Sequence, residues 1–407
     1  MEKTGIFNKI IIEYEATAPV KVNLVYGTDD GKTVEDYFFL ESGKTHFEGF
    51  IKGYTEGRMG VSLEKFDYVI LGTDGGSFNC REIKFQKVQV VAEDTAYLTL
   101  GRYKLGVRLV WGGGINFLSD SSCPVEGVDN MVNMHDTGRL IQQSYYGCGK
   151  NEENDWGFFN NIKWPYNPVQ GGDRDGFHSR LIDVKITDNC IYIKAQPRDW
   201  GKTDYLTPSY MENWYIIDGD IIRVDNRFVD FSGWKHPRSC QELPAFYTLS
   251  YFDRFVFYDG NRPWQDDELN TRDNLHFWGV PEYDSECNFR VKENNTEVWS
   301  AWVSSKDDYG IGLYVPNVDM LKAGRNAYNA SKAADDPACN YTAPLGFLGL
   351  VTFEPLEYSY LMTCGSTDKI RAEFKNYKDV FGNESLDLNR MQNTRRPKDA
   401  PDFPKHL

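Results

Sequence analysis

Residues 103–118, YKLGVRLVWGGGINFL, carry the pattern that decides the fold class. Apolar side chains occupy every second position from Tyr103 to Leu109, which predicts a strand with one buried face. The three glycines at 112–114 lack the spacing of a phosphate-binding loop, and no helix pattern follows them. The stretch therefore predicts a strand that leads into a bend where two backbones approach each other closely.

The same alternation extends from residue 7 to residue 91. Val20, Val22 and Leu24 alternate with polar residues, an Asp30-Gly31 turn follows, and residues 37–40 supply the return strand of a hairpin. Residues 83–90 alternate with one irregular step, which predicts a β-bulge there. This part indicates a small β-sandwich, either structural or a carbohydrate-binding module. A structural role is favoured, because no aromatic platform can be recognised.

A short polar step at 92–99 separates that sandwich from further strands, which are predicted at 181–186, 190–195, 252–258, 298–303 and 311–315. A strong hairpin pattern joins residues 214–217 to 221–229 through Asp218-Gly219. Arg223, Asp225 and Arg227 share one face of its second strand, which we expect to be solvated. Helix pattern is almost confined to residues 366–375, with Ser366 as the cap.

Composition and charge limit the classes of function. A chain of 407 residues exceeds the size at which single cores stop growing, so two domains are expected. The formal net charge is −15 and the basic residues are dispersed, which argues against nucleic acid or an anionic membrane as partner. No apolar run approaches the length of a membrane span, so we expect a soluble, cytoplasmic protein. Removal of a signal peptide would make it a secreted protein instead.

The eight cysteines are dispersed and include no CxxC pair, so their spacing predicts neither a zinc site nor a redox motif. Buried free thiols are the simpler expectation, although an even number permits disulfides in an exported protein. We expect no cofactor and no metal. A calcium site assembled from distant loops would leave no local signature.

Residues 133–179 combine planar polar groups with aromatic side chains more densely than any other part of the chain. A sugar needs both, because its hydroxyls take bidentate partners and its C–H faces stack on rings. The alternative is a loop whose polar groups form hydrogen bonds with one another. The segment contains His135, Asp136, Arg139, Gln142, Gln143, Asn160, Asn161, Gln170, Asp173, Arg174, Asp175 and His178 among Tyr145, Tyr146, Trp156, Trp164 and Tyr166.

Two separate stretches of the chain carry a family resemblance. A glycine-bearing strand at 111–118 is followed by Asp120, by residues 129–133 and by HDTGRLIQ at 135–142. Near the other end, FEPLEYSYL at 353–361 precedes Gly365 and residues 368–371. This order resembles the galactose mutarotase-like β-supersandwich over about residues 99–375. The resemblance implies a large antiparallel sandwich whose concave face holds a sugar.

The resemblance does not extend to a reaction. In the epimerases of that superfamily a histidine acts at the ring oxygen and a glutamate near the C-terminus is the base. Neither can be placed here, because no histidine lies between His276 and His406 and because Glu354 and Glu357 lie in a strand of their own. The same fold also occurs among glycoside hydrolases and polysaccharide lyases, so the reaction stays open.

The expected fold class is all-β with very little helix. An N-terminal, jelly-roll-like β-sandwich at residues 1–94 is followed by a large antiparallel β-supersandwich at 95–378, which carries the site. Residues 379–407 are charged and proline-rich, which predicts a tail that wraps the surface or is mobile.

Three carboxylates are the candidate catalytic residues: Glu242, Asp136 and Asp173. Glu242 lies between a polar and an apolar run, at a predicted strand boundary, where apolar neighbours would raise its pKa and make it the proton donor. Asp136 beside Arg139 would be the charged partner. The alternative for Glu242 is a structural ion pair with Arg238.

The candidate substrate-binding residues are polar and aromatic side chains of the same regions: His135, Arg139, Gln142, Gln143, Tyr145, Trp156, Trp164, Gln170, Arg174, His178, His236 and Trp264. The predicted partner is an oligosaccharide or glycoside, and glycoside hydrolysis by two carboxylates is the leading reaction. A uronate lyase would instead use His178 or His236 with Arg139 or Arg174. Epimerisation and non-catalytic glycan binding are the remaining alternatives.

Overall fold

The computed structural model describes residues 4–27, 31–52, 67–74, 77–91, 94–148, 158–159, 162–276, 287–290, 297–316, 318–326 and 329–381. Among these residues one α-helix is present, α1 (Thr367–Phe381), and the rest of the regular structure is almost entirely strands in antiparallel ladders. The prediction of an all-β fold with very little helix is therefore confirmed.

The strands before residue 92 pair with one another. They are β1 (Thr4–Ala16), β2 (Val20–Gly27), β3 (Thr33–Leu40), β4 (His46–Phe50), β5 (Tyr68–Thr73) and β6 (Phe78–Val91). Two three-stranded sheets result, in the orders β4-β1-β6 and β3-β2-β5. The predicted β2–β3 hairpin is confirmed, with Val20 opposite Leu40. The predicted bulge position is wrong, because the extra residue of β6 is Arg81 rather than a residue within 83–90.

A third three-stranded sheet comprises β7 (Thr95–Leu100), β8 (Tyr103–Arg108) and β9 (Gly114–Asp120). Most of the predicted polar step at 92–99 is thus a strand. The bend between β8 and β9 is confirmed: a short 3-10 turn, Leu109–Trp111, leads into Gly112 at φ +58°. A Cβ on Gly112 would lie 2.2 Å from the carbonyl oxygen of Gln170.

The remaining strands build two large sheets. In chain order they are β10 (Gln142–Ser144), β11 (Phe158–Phe159), β12 (Ile162–Lys163), β13 (Pro168–Val169), β14 (Arg180–Ile186), β15 (Cys190–Gln196), β16 (Arg198–Asp199), β17 (Ser209–Asp218), β18 (Ile221–Asp230), β19 (Arg238–Leu249), β20 (Arg254–Phe257), β21 (Asn270–Asp273), β22 (Asn288–Arg290), β23 (Trp299–Val303), β24 (Gly310–Tyr314), β25 (Met320–Arg325), β26 (Cys339–Gly349) and β27 (Pro355–Gly365). The seven-stranded sheet has the order β16-β13-β10-β19-β26-β25-β22. The nine-stranded sheet has the order β14-β15-β17-β18-β27-β24-β23-β20-β21, and β11 pairs with β12 alone.

The main core lies between these two sheets. It takes Phe246 and Leu348 from the seven-stranded sheet and Trp302 and Tyr360 from the nine-stranded sheet. The Trp302 indole N–H donates to Thr342 Oγ1 at 2.7 Å, so the one polar atom of that ring is satisfied across the core.

The opposite face of the nine-stranded sheet is also covered. Ile370 and Phe374 of α1 pack there against Trp299 and Tyr314. Ser366 Oγ accepts the Lys369 N–H at 3.3 Å, which confirms the predicted cap. The helix ends at Phe381, so residues 379–381 belong to it, and residues 382–407 of the predicted tail lie outside the described residues.

The N-terminal strands cover another part of that face, where their core residues pack against Tyr210 and Val229. The expectation of a solvated face on β18 is therefore wrong. Asp225 is fully buried and pairs with Arg223 at 2.7 Å, and Arg227 contacts Glu41 and Glu212. These charges are paired and largely buried rather than solvated, and Arg227 contacts Glu41 from the N-terminal part of the chain.

All eight cysteines are free, and five of them are buried. No helix among the residues described combines the length and apolar character that crossing a bilayer requires.

Candidate functional site

The seven-stranded sheet has a second face, opposite the main core, on which the candidate site is built. Phe246 and Thr342 pair across β19 and β26 and face the core, so their neighbours Tyr247 and Tyr341 point the other way. An extra residue in β19 between Glu242 and Phe246 shifts the register. Glu242 therefore shares the face of Tyr247 although the two are an odd number of residues apart.

Glu242 is not at a strand boundary but inside β19, and its side chain is recessed. The residue is 8% exposed, and Tyr341 donates its hydroxyl to the carboxylate. Burial raises the pKa of Glu242 above its ordinary value, and hydrogen bonds from Tyr341, Ser144 and Tyr146 offset part of that rise. Glu242 therefore favours its protonated form more than an exposed glutamate does.

Three phenols surround this carboxyl group. Burial, and next the charge of Glu242, raises the pKa of Tyr146, Tyr247 and Tyr341 well above that of a free tyrosine. All three are therefore protonated donors at neutral pH. The rings of Tyr247 and Tyr341 lie 4.9 Å apart, and each of the three residues is partly exposed. We call Ser144, Tyr146, Glu242, Tyr247 and Tyr341 the Glu242 recess.

Trp164 borders the recess, and the charge of Asp136 acts on one of its phenols. Trp164 lies 6.4 Å from Tyr146 between ring centroids, and its indole N–H donates to Asn167 at 3.0 Å. Asp136 also raises the pKa of Tyr247, so both carboxylates lie within electrostatic range of that phenol. Asp136 accepts the Gly138 N–H at 2.9 Å and lies 3.3 Å from Arg139 Nε.

Arg139 and His135 hold this loop to the segment that precedes β26. Arg139 also donates to the Pro337 carbonyl. His135 Nδ1 lies 2.7 Å from the Asp335 carbonyl oxygen and therefore donates to it.

Four of the predicted substrate-binding residues are structural instead. Gln142 joins the Thr137 carbonyl to the Gly171 N–H, at 3.0 and 2.7 Å. Gln143 and Tyr145 bond each other, and Gln170 donates to the Gly112 carbonyl at 2.9 Å. Because these four side chains are at most 1% exposed, the alternative of mutually satisfied groups describes them better than a sugar site does.

Asp173 has no room for a catalytic role. It is fully buried, and its carboxylate accepts the backbone N–H groups of Asp175, Phe177 and Asp204 at 3.0, 3.0 and 2.7 Å. These bonds shape a turn, and the buried carboxylate is out of reach of a substrate.

His236 and Trp264 are also internal. His236 accepts the Cys148 N–H at Nδ1, lies 3.1 Å from Asp230 at Nε2 and stacks on Tyr166. Trp264 is 7% exposed and packs edge-on against Tyr314.

Two further predicted residues contact other side chains of the protein, and a third lies outside the described residues. Arg174 Nε is 3.8 Å from Asp175, and His178 accepts the Trp111 indole N–H at 2.8 Å. Arg238 donates to the Phe347 carbonyl, and no ion pair joins it to Glu242 in the described part of the chain. Trp156 lies outside the described residues.

The recess contains residues that the sequence did not single out. Ser144, Tyr247 and Tyr341 come from β10, β19 and β26, and only the pairing of these strands brings them to Glu242. Tyr247 follows Glu242 in the same run, which is the one local signal. Lys322 on β25 adds a positive charge that acts on Glu242.

Among the described residues no group of three or more His, Cys, Asp or Glu side chains is arranged to hold a metal ion. An open hollow of about 640 Å³ lies between β20 and β21, lined by residues 260–262 and 266–268. It shares no residue with the Glu242 recess.

No family model matches the chain, and no curated protein matches it. Solved structures similar to it include galactose mutarotase-like proteins, the group that the sequence resembles. One from Lactobacillus casei has 11% identity and a TM-score of 0.37 and covers 67% of this chain and 100% of its own. A GH36 alpha-galactosidase from Geobacillus stearothermophilus has 12% identity and a TM-score of 0.39, and the match covers 67% of this chain and 40% of the alpha-galactosidase. A 4-alpha-glucanotransferase from Thermococcus litoralis has 11% identity and a TM-score of 0.33, and the match covers 66% of this chain and 37% of the glucanotransferase.

Proposed function

We propose that the chain is a carbohydrate-active enzyme that hydrolyses a glycosidic bond, with Glu242 as the proton donor. One observation carries the proposal: a recessed carboxyl group with a raised pKa lies among hydroxyl groups and partly exposed aromatic rings. An acid that protonates a leaving oxygen must keep its proton near neutral pH, which burial of a carboxyl group achieves.

The surroundings of Glu242 suit a saccharide. Tyr146, Tyr247 and Tyr341 offer ring faces for C–H groups and hydroxyls for hydrogen bonds. Trp164 adds a further ring beside Tyr146. A concave site that combines apolar faces with a few fixed polar groups is the usual form of a small-ligand pocket.

Asp136 is proposed as the charged partner. Its charge raises the pKa of Tyr247, as the charge of Glu242 does. Arg139 and the Gly138 N–H contact its carboxylate. A carboxylate held by such donors is suited to stabilise the positive charge that develops at the anomeric carbon.

Epimerisation is the second candidate, favoured by the hydroxyl groups around Glu242. A carboxyl group bonded to phenols could exchange protons with a sugar oxygen through a neighbouring phenol. A uronate lyase is disfavoured, because phenols with raised pKa values stay protonated at neutral pH and are not available as bases. His236, a base proposed for that reaction, has both ring nitrogens in contact with internal partners.

Product analysis on a panel of oligosaccharides tests the proposal. New reducing ends without absorbance from an unsaturated uronate indicate hydrolysis, and both signals together indicate a lyase. Anomeric exchange of a free sugar without cleavage, followed by NMR, indicates an epimerase. Binding without any turnover indicates a glycan-binding protein and overturns the enzymatic proposal.

Three variants assign the residues. Glu242→Gln and Asp136→Asn should each lower turnover by about a hundredfold or more while ligand still binds. Asp129→Asn, at an exposed position outside the recess, should retain wild-type activity. Wild-type turnover in Glu242→Gln would remove that residue from its assigned role.

A further inference from the structure

A second cluster of polar side chains surrounds Trp111, at the bend between β8 and β9. The Arg108 guanidinium carbon lies 3.7 Å from the centre of the Trp111 ring. The Trp111 indole N–H donates to His178 Nε2 at 2.8 Å. Arg108 and His178 are both half-buried, and neither belongs to the Glu242 recess.

The hydrogen bond from Trp111 determines where His178 carries its proton. Because Nε2 accepts the indole N–H, a neutral ring must carry its own proton on Nδ1. Burial and the charges of Arg108 and Arg198 lower the pKa of His178, so the neutral ring is favoured although Asp94 and Asp173 act in the opposite direction. The result is an N–H donor at Nδ1.

Two buried donors of this cluster have no acceptor. His178 Nδ1 and Arg108 Nε are both buried, and no described protein group accepts a hydrogen bond from either atom. Leaving such a buried donor unpaired is unfavourable, because it loses its hydrogen bonds to water and gains none in return. Two unpaired donors around one ring therefore indicate a place where an acceptor binds.

Arg108 also differs from the other enclosed arginines in its charge balance. Burial lowers the pKa of Arg108, and Asp94 and Tyr97 act in the opposite direction, but neither forms an ion pair with it in the described part of the chain. Arg325 likewise has no carboxylate partner, but its guanidinium donates to Asn274, Asn340 and the Ser250 carbonyl. A carboxylate does contact each of the following: Arg102, Arg180, Arg198, Arg223, Arg227 and Arg371.

We propose that Arg108 and His178 form a binding site for an oxyanion, beside Trp111 and distinct from the Glu242 recess. A carboxylate, sulfate or phosphate supplies the negative charge that Arg108 lacks and accepts hydrogen bonds from N–H donors. The site does not depend on the proposed hydrolysis, because none of its residues takes part in that reaction.

Calorimetric titration of the full chain tests this site. The probes are sodium sulfate, phosphate, acetate and glucuronate, each at constant ionic strength set with sodium chloride. We expect saturable binding of at least one oxyanion. Binding of sulfate or phosphate identifies a tetrahedral ligand, whereas binding of acetate or glucuronate identifies a carboxylate.

Matched variants separate the site from general charge effects. Arg108→Gln and His178→Phe should each weaken binding by about tenfold or more, as the loss of a charge-assisted hydrogen bond predicts. Arg254→Gln, at a half-exposed ion pair, should bind like wild type. The site is disproved if none of the four anions binds, or if Arg108→Gln binds the anion unchanged. Thermal unfolding without anion confirms that each variant is folded.

Discussion

Glu242 is the residue whose protonation should set the pH dependence of activity. As a general acid it must carry its proton, so activity should fall as pH rises through its raised pKa. Tyr341 donates to this carboxylate and thereby lowers that pKa. In Tyr341→Phe the pKa should rise further, and the alkaline limb of kcat/KM should move to higher pH.

A pH profile of kcat/KM measures this shift. Tyr97→Phe, at an exposed ring far along the chain from Glu242, is the control and should leave the limb in place. A limb that stays fixed or moves to lower pH in Tyr341→Phe would show that Glu242 is not the titrating acid.

The same carboxyl group should cost stability at neutral pH. A folded-state pKa above the unfolded value means that stability is fully present below the unfolded pKa and is lost as pH rises through the folded pKa. Glu242→Gln stays neutral, so its Tm should exceed that of wild type at pH 8 and approach it at pH 4. Thermal unfolding at the two pH values measures the difference. A lower Tm for the variant at pH 8 would contradict the raised pKa.

At the scale of elements, the bend between β8 and β9 is a sharp test of packing. Gly112→Ala places a Cβ 2.2 Å from the Gln170 carbonyl oxygen at φ +58°. Gly219→Ala, in the β17–β18 hairpin, has φ +59° with nothing near the new carbon. Gly219→Ala should lower the free energy of unfolding by only about 1–2 kcal/mol, the cost of a side chain in the left-handed backbone region.

Gly112→Ala should cost more than about 3 kcal/mol, because the clash with a backbone atom adds to the same backbone term. Chemical denaturation of both variants measures the difference. Equal losses would mean that the neighbouring backbone can move away from residue 112.

The strands that could be predicted from the sequence are those with local alternation. The β2–β3 and β17–β18 hairpins follow from alternating runs that flank a turn. The candidate site could be predicted only in part. Glu242 and Asp136 were recognisable as carboxylates in unusual surroundings, but Tyr341 lies 99 residues from Glu242. A bulge in β19 decides which face Glu242 occupies, and alternation cannot reveal it.

The buried amides were predicted to bind ligand, but they are internal. Gln142 and Gln170 look like ligand-binding groups in the sequence, because residue type does not indicate burial. In the fold their amides satisfy backbone groups of a long irregular segment and of the β8–β9 bend. Such a segment has few ladder partners, so side chains must pair its backbone N–H and C=O groups.

At the scale of the whole molecule, the N-terminal strands and the nine-stranded sheet share a core and buried ion pairs. Ile10 and Phe38 pack in one cluster with Tyr210 and Val229. Phe39 donates its backbone N–H to the Tyr210 hydroxyl at 2.8 Å. Because apolar area and polar contacts are both buried between them, we expect the two parts to unfold in a single cooperative transition.

Arg180 provides the test of this contact. It pairs with Asp36 at 2.7 Å, and the two side chains are 4% and 2% exposed. Arg180→Ala leaves the Asp36 charge buried without its partner, which should cost about 3–5 kcal/mol. Arg254→Ala removes a pair with Asp273 whose side chains are 34% and 52% exposed, and should cost about 1 kcal/mol or less. Chemical denaturation, followed by fluorescence and circular dichroism, measures both losses. If Arg180→Ala costs no more than Arg254→Ala, or if the two probes give separate transitions in wild type, the N-terminal strands are not held as this contact requires.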